Sequence, residues 1–278
     1  MIKRTALIDL DPLIHIVANV QWYAGNQDNS EKVKIHVNQF LDTILKNCDS
    51  SSYIMFYQDV GHLNYRKDIL PEYKGHRKAN EAIDKWKPLI CEVLEKRGAY
   101  GLWYIESDDA LMLVSEKYQK DNVNYLIVEN DKDLAMIPGA HYNPYKTKMD
   151  NRWFNYTSKQ ASLSFWSQVI SGDPTDMPNS ICGVQQVGPA KAVKALGGVK
   201  TPLELYKFKA MQAYTDKYGI PIGLRRMAIT YDMVYLLREP VEHIPESAEV
   251  LEITPTPYVD TMEGLFENNS SDNTESII

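Results

Sequence analysis

At 278 residues and 44% hydrophobic content, the chain can bury a substantial core, which excludes a disordered or fibrous protein. Its net charge of −7 argues against a nucleic-acid partner at first, yet nine acids and no Lys or Arg fall in residues 241–278, leaving residues 1–240 at about +2. Cys48, Cys91 and Cys182 lack CxxC spacing, and the apolar start is broken by Asp9, Asp11 and His15, so a disulfide framework, a zinc site, a signal peptide and a membrane span are all disfavoured. A reducing, intracellular compartment without membrane association is expected, namely the cytoplasm.

Residues 6–10 and 53–57 are short apolar runs with acids at or just after their ends, and both read as buried strands. Between them Val33, Val37, Leu41, Ile44 and Leu45 recur at helical spacing. Residues 100–105 read as a strand, 108–118 as a helix and 125–128 as another strand, an alternation that gives a mostly parallel sheet with helices on its faces. Thr157 then caps an apolar helix carrying Phe165, Trp166, Val169 and Ile170 and ending at Gly172. The aromatic residues Trp153, Phe154, Phe165 and Trp166 are read as core. A turn bounded by Gly183 and Gly188 follows, with helices from Pro189, from Pro202 and around 224–237. The resulting division is an α/β core at 1–156, a smaller helical subdomain at 157–240 and an acidic, partly disordered tail at 241–278.

Acids cluster at or just after four strand ends: Asp9 with Asp11, then Asp59, then Glu106, Asp108 and Asp109, then Asp131 and Asp133. Asp173 and Asp176 follow the apolar helix. Carboxylates gathered together repel and raise one another's pKa, so such a group requires cations, and hard oxygen ligands select Mg2+ or Mn2+. Two such ions can orient and activate a water and stabilise the leaving oxygen of an in-line phosphoryl displacement, which makes phosphodiester hydrolysis the natural chemistry.

Residues 64–78, NYRKDILPEYKGHRK, hold five Lys or Arg against two acids, with two tyrosines interleaved. Arg66, Lys67, Tyr73 and Lys78 are candidate DNA contacts, and Lys74 and Arg77, three apart, share a face if the segment is helical. The stretch 183–196, GVQQVGPAKAVKAL, pairs two glycines with a helix start at Pro189. Its backbone N–H groups, with Lys191 and Lys194, suit a phosphate contact that positions duplex DNA without reading sequence.

Taken in order, LIDLD at 7–11, Asp59 followed by YRKDILPEYKGHRK, ESDDAL at 106–111, NDKDLAMI at 130–137 and GDPTD at 172–176 with the glycine turn resemble the flap endonuclease and 5′ to 3′ exonuclease family. The 5′ exonucleases of tailed phages and the 5′ nuclease domain of bacterial DNA polymerase I are especially similar. The resemblance spans about residues 6–196. It implies a PIN-like, mostly parallel sheet with helices on both faces, followed by a small helical DNA-binding subdomain with a helix-turn-helix-like hairpin. It places Asp9, Asp59, Glu106, Asp108 and Asp109 around the metal nearest the scissile phosphate, and Asp131, Asp133, Asp173 and Asp176 around a second. Lys74 and Arg77 become catalytic contacts to that phosphate, at the foot of a gateway and arch spanning 64–97 to which residues 78–97 contribute. Gly183, Gly188, Lys191 and Lys194 become a duplex clamp holding a potassium ion. The implied substrate is DNA with a free 5′ end, flap or duplex junction, in replication, recombination or repair, and the chain would come from a phage.

Met177 stands where the family commonly has Asn, the path to Gly183 is three residues longer, Gln185 and Gln186 replace a Pro-Gly pair, and Asp11 has no secure counterpart. Three other readings share part of this pattern. A haloacid-dehalogenase-type phosphatase shares the Asp9–Asp11 motif but gives the basic segment no role. A non-catalytic DNA-binding scaffold would have lost carboxylates that are present here. Primer removal from RNA:DNA hybrids uses the same chemistry. The acidic tail is a candidate contact for a replication protein, beside its plainer reading as a solvating segment.

Overall fold

Neighbouring residues of the first strand, β1 (Ile2–Asp9), serve two different cores: Leu7 faces one, Ala6 and Ile8 the other. The same period-two alternation splits Ile54 and Phe56 from Met55 and Tyr57 in β2 (Ser50–Gln58), and Ile127 from Leu126 and Val128 in β4 (Tyr125–Val128). A sheet buried on both faces results, described by a computed structural model for residues 2–23, 29–148, 152–177 and 181–258.

With β3 (Ala99–Leu102), β5 (Gly139–Tyr142) and β6 (Trp153–Tyr156), the strands run in the order β3-β2-β1-β4-β5-β6. Pairing is parallel from β3 to β5 and antiparallel between β5 and β6. The chain moves outward from β1 through β2 to β3, then returns to place β4 on the other side of β1. The carboxyl ends of β1 and β4 therefore flank a switch point, the place where such sheets open a crevice.

Helices α1 (Asp11–Tyr23), α2 (Ser30–Asn47) and α4 (Glu81–Lys96) cover one face. The α2 positions expected to be apolar are all buried. Helix α1, absent from the sequence reading, buries Leu13, Ile14, Val17 and Ala18. The other face meets α5 (Ser107–Lys120), and α6 (Ser158–Ser171) joins the same core and carries α7 (Pro189–Leu196), α8 (Glu204–Tyr218) and α9 (Ile220–Val234) packed against it. Val169, Ile170, Tyr214 and Met227 belong to the same core cluster as Leu7 and Phe56, so the helical part has no separate core. Phe165 is buried as expected, whereas Trp153 is 42% exposed beneath the Arg4 guanidinium. Among the described residues, no helix is long and apolar enough to cross a membrane.

The tail begins later than the sequence reading placed it. Residues 241–258 pack back on the core because they carry their own anchors: Ile244, Ser247 and Val250 are buried, and Lys117 Nζ donates to the Leu251 carbonyl. Here α10 (Glu246–Glu249) is followed by β7 (Thr256–Pro257), which pairs antiparallel with the start of β2. The remainder of the expected tail, 259–278, lies outside the described residues.

Candidate active site

Asp9 ends β1, Glu106 and Asp108 enter and open α5, Asp131 and Asp133 follow β4, and Asp173 and Asp176 follow α6. All seven line one cavity of about 350 Å³ at the β1/β4 switch point. The sheet brings them together because each sits just beyond an element whose end points to the same crevice. Two expected members are elsewhere. Asp59 lines an adjoining cavity of about 430 Å³, and its Oδ1 accepts the Val60 N–H.

Asp109 is fully buried and faces away from the cavity, onto Arg66. The Arg66 guanidinium forms a two-pronged contact with it, Nη1 to Oδ2 at 2.7 Å and Nη2 to Oδ1 at 2.8 Å, and Nη1 also reaches Glu106 Oε2 at 3.0 Å. Asp109 further accepts the Glu106 and Leu237 N–H groups, so its oxygens are committed to holding the fold. Arg66, a candidate DNA contact, is only 1% exposed and must be reassigned to this buried ion pair. Tyr73, another candidate, is 3% exposed, and its hydroxyl donates to Glu106 Oε2 at 2.8 Å. Burial would raise the Glu106 carboxyl, but the Lys74 ammonium and Arg66 guanidinium outweigh it and hold the group well below the usual carboxylate range.

Opposite this wall the acids meet one another. Burial, with Asp11, Asp131 and Glu129 adding repulsion, raises the Asp9 carboxyl well above its ordinary value. Asp108 is raised in the same way, by burial and then by Asp131 and Asp9. Burial and the Asp131 charge push Asp133 up to about 7, although Lys132 opposes them. Asp173 moves down despite burial, because the Thr175 backbone N–H and Lys132 favour its charged form.

Cations fit this donor set by its chemistry: it is all carboxylate oxygen, partly buried, and charged groups there destabilise one another. Among the described residues, no three Asp, Glu, His or Cys side chains converge as a finished ligand group. Glu106 and Asp176 are instead paired with Lys74 and Arg77.

Lys74 and Arg77 both reach the cavity, but not from a helical face. Helix α3 (Arg66–Ile69) ends early, and a turn with Lys74 at φ 56° delivers the two side chains. The arch expected over 78–97 is also revised. Asn80 caps α4, whose Ala82, Trp86, Ile90, Val93 and Leu94 are buried in the core, so that helix is part of the α/β body. Lys67 and Lys78 are exposed.

At the glycine turn, Gly183 has φ +71° and lies against the α6 end, where an added Cβ would stand 2.6 Å from the Ser171 carbonyl oxygen. Gly188 caps α7, and Lys191 and Lys194 are exposed along that helix. The Arg226 guanidinium donates to the Gly183 carbonyl at 3.2 Å, placing a fixed positive charge on the turn.

Several lining residues were not singled out from the sequence. Asp11, set aside there, accepts the Gln58 N–H and the Ser107 hydroxyl, bracing β2 against the start of α5. Asn130, Gln168 and Lys87 also line the cavity, and Lys132 Nζ reaches Asp173 at 3.1 Å. The acid-rich motifs gave the only signal for Asp11; the others are polar residues without a pattern. Met177, 2% exposed, is part of the core, and residues 178–180 beyond it lie outside the described residues.

The sequence profile of the 5′-3′ exonuclease, N-terminal resolvase-like domain, matches residues 6–162. A protein of Buchnera aphidicola subsp. Schizaphis graminum (strain Sg), described as a 5′-3′ exonuclease, is 27% identical over 143 residues, 49% of this chain and 49% of that protein. The match thus spans about half the length of that curated relative. The T5 D15 protein co-crystallised with metal ions superimposes with a TM-score of 0.54 at 12% identity, covering 90% of this chain and 99% of that one. The catalytic core of Rad2 in complex with DNA substrate gives 0.48 at 14% identity, covering 95% and 84%. With the domain profile matching over more than half of its length, the chain belongs to the 5′-3′ exonuclease family.

Proposed function

We propose that the protein is a divalent-metal-dependent nuclease that hydrolyses DNA phosphodiesters at or near 5′ ends, as a 5′-3′ exonuclease or flap endonuclease in replication, recombination or repair. The observation that carries this reading is the convergence of Asp9, Asp108, Asp131 and Asp133 on one side of a single cavity, where burial and neighbouring carboxylates raise Asp9, Asp108 and Asp133. Folding brings these carboxylates together at a cost that bound cations remove.

Asp9, Glu106, Asp108, Asp131, Asp133, Asp173 and Asp176 are the residues that would hold two Mg2+ or Mn2+ ions. Such ions lower the pKa of bound water and stabilise the leaving oxygen of an in-line displacement. Lys74 and Arg77 stand at the cavity wall, on Glu106 and Asp176, and their positive charges would meet the anionic scissile phosphate there. Exposed Lys191 and Lys194, beside the Gly188 helix start, would hold duplex backbone outside the cavity. The 5′-to-3′ direction is supported by the description of the Buchnera relative.

The test is cleavage of 5′-labelled and 3′-labelled duplex, 5′-flap and RNA:DNA hybrid substrates, with Mg2+ and then with EDTA. Magnesium-dependent release of short 5′ products is expected, and the preferred substrate defines the subclass. DNA binding without cleavage would contradict the reading and favour a scaffold.

A further inference from the structure

The last residues before Glu106 leave the sheet. Sequence pattern extends the third strand to residue 105, but β3 stops at Leu102, and the next three backbone N–H groups turn to a single side chain. Glu246 accepts from Trp103 at 2.7 Å through Oε1, and from Tyr104 and Ile105 at 2.8 Å each through Oε2. On the other edge of the same segment, the Trp103 and Tyr104 carbonyls accept the Leu63 and Tyr65 N–H groups. Three charge-assisted bonds to one carboxylate are a strong restraint on so short a stretch. Glu246 opens α10, beyond the 6–162 domain match, in the part of the chain first read as tail.

A second grip lies just past Glu106. Arg66, which forks onto Asp109, donates to the Met233 and Tyr235 carbonyls at 3.0 and 2.9 Å, and the Leu237 N–H donates to Asp109. The stretch from 233 to 246 thus holds residues 103–109 on both sides of Glu106. Glu106 and Asp108 hang between these two anchors, and both line the carboxylate cavity.

We propose that Glu246 is a positioning residue for the metal-holding carboxylates Glu106 and Asp108, so that the C-terminal segment braces a site whose own carboxylates lie between Asp9 and Asp176. The inference rests on the reading that this cavity binds divalent cations. Outer partners that orient ligands affect ion affinity by about 10- to 100-fold, and Glu246 acts one step further back, through the backbone that carries the ligand.

The experiment is direct Mn2+ binding by calorimetry on the full chain, for wild type, Glu246→Ala, Glu246→Gln, Lys117→Met and Asp108→Asn, with amide hydrogen exchange at residues 103–105. Glu246→Ala is expected to weaken binding about tenfold or more and to lose protection at those amides. Glu246→Gln, which keeps one acceptor oxygen, should fall between it and wild type, and it carries the test if the alanine variant does not fold. Lys117→Met removes the bond to the Leu251 carbonyl in the same C-terminal segment without touching 103–105, and should leave affinity unchanged. Wild-type affinity in both Glu246 variants, or an equal loss in Lys117→Met, would overturn the proposal. Weakened binding in Asp108→Asn alongside unaffected Glu246 variants would overturn only this inference, whereas equal binding by wild type and Asp108→Asn would remove the metal reading beneath it.

Discussion

On one wall of the cavity Glu106 meets Arg66, Lys74 and Tyr73, while on the other Asp9, Asp108, Asp131 and Asp133 face mainly one another. The walls share a four-residue motif, ESDD at 106–109, and the boundary between them runs through it. Asp108 faces the repelling side, and Asp109 is turned fully onto Arg66. The contrast shows that an acid-rich motif is not one functional unit: part of it holds the fold, and part is left without a cationic partner of its own.

The contrast breaks most severely if the compensated wall is opened. Arg66→Met leaves Asp109 buried without its partner, and should cost about 3–5 kcal/mol of stability, read by urea unfolding. A loss well under that would mean water or other donors already serve Asp109. Lys74→Ala, at the junction of the walls, should lower turnover about 10²-fold with little change in duplex affinity, read from single-turnover cleavage against a binding titration. Equal effects on both would move Lys74 from the reacting phosphate to general DNA binding.

A smaller effect comes from titrating the repelling wall. Asp9, Asp108 and Asp133 have folded-state pKa values raised above their unfolded ones, so their protonated forms favour the fold. That contribution is present at low pH and, for Asp133, is lost as the pH rises from about 4 through about 7. In EDTA the protein should therefore lose stability on this account between about pH 6 and pH 8, and Mg2+ should restore more at the higher pH. Thermal unfolding with and without Mg2+ at the two pH values measures both; a metal effect that shrinks as pH rises would contradict the assignment. Smallest is Lys191→Ala, outside both walls, which should weaken duplex binding several-fold and reduce the slope of affinity against salt by about 1, leaving single-turnover cleavage intact.

Much of this arrangement is legible in the sequence. Apolar runs ending in acids announce parallel strands, and the acids gather because strand ends in such a sheet share one side. The exceptions have physical causes. Successive helix positions point about 100° apart, so Asp108 and Asp109 face different surroundings, and the partner that holds Asp109, Arg66, lies 43 residues away in the chain. In α4, the spacing of Ala82, Trp86, Ile90, Val93 and Leu94 was the signal of a core helix, outweighed in the sequence reading by the basic residues around it. Glu246 carried no local signal, since one acid among nine gives no hint that its partners lie more than 140 residues upstream.

The most direct test of the central claim is the rate of Mg2+-dependent cleavage of a 5′-labelled flap by wild type and by Asp108→Asn, with folding of both checked by circular dichroism. The expected result is a folded variant, at least as stable as wild type in EDTA, whose cleavage falls by more than about 10²-fold. A near wild-type rate would show that the uncompensated wall is not where the phosphodiester is cut.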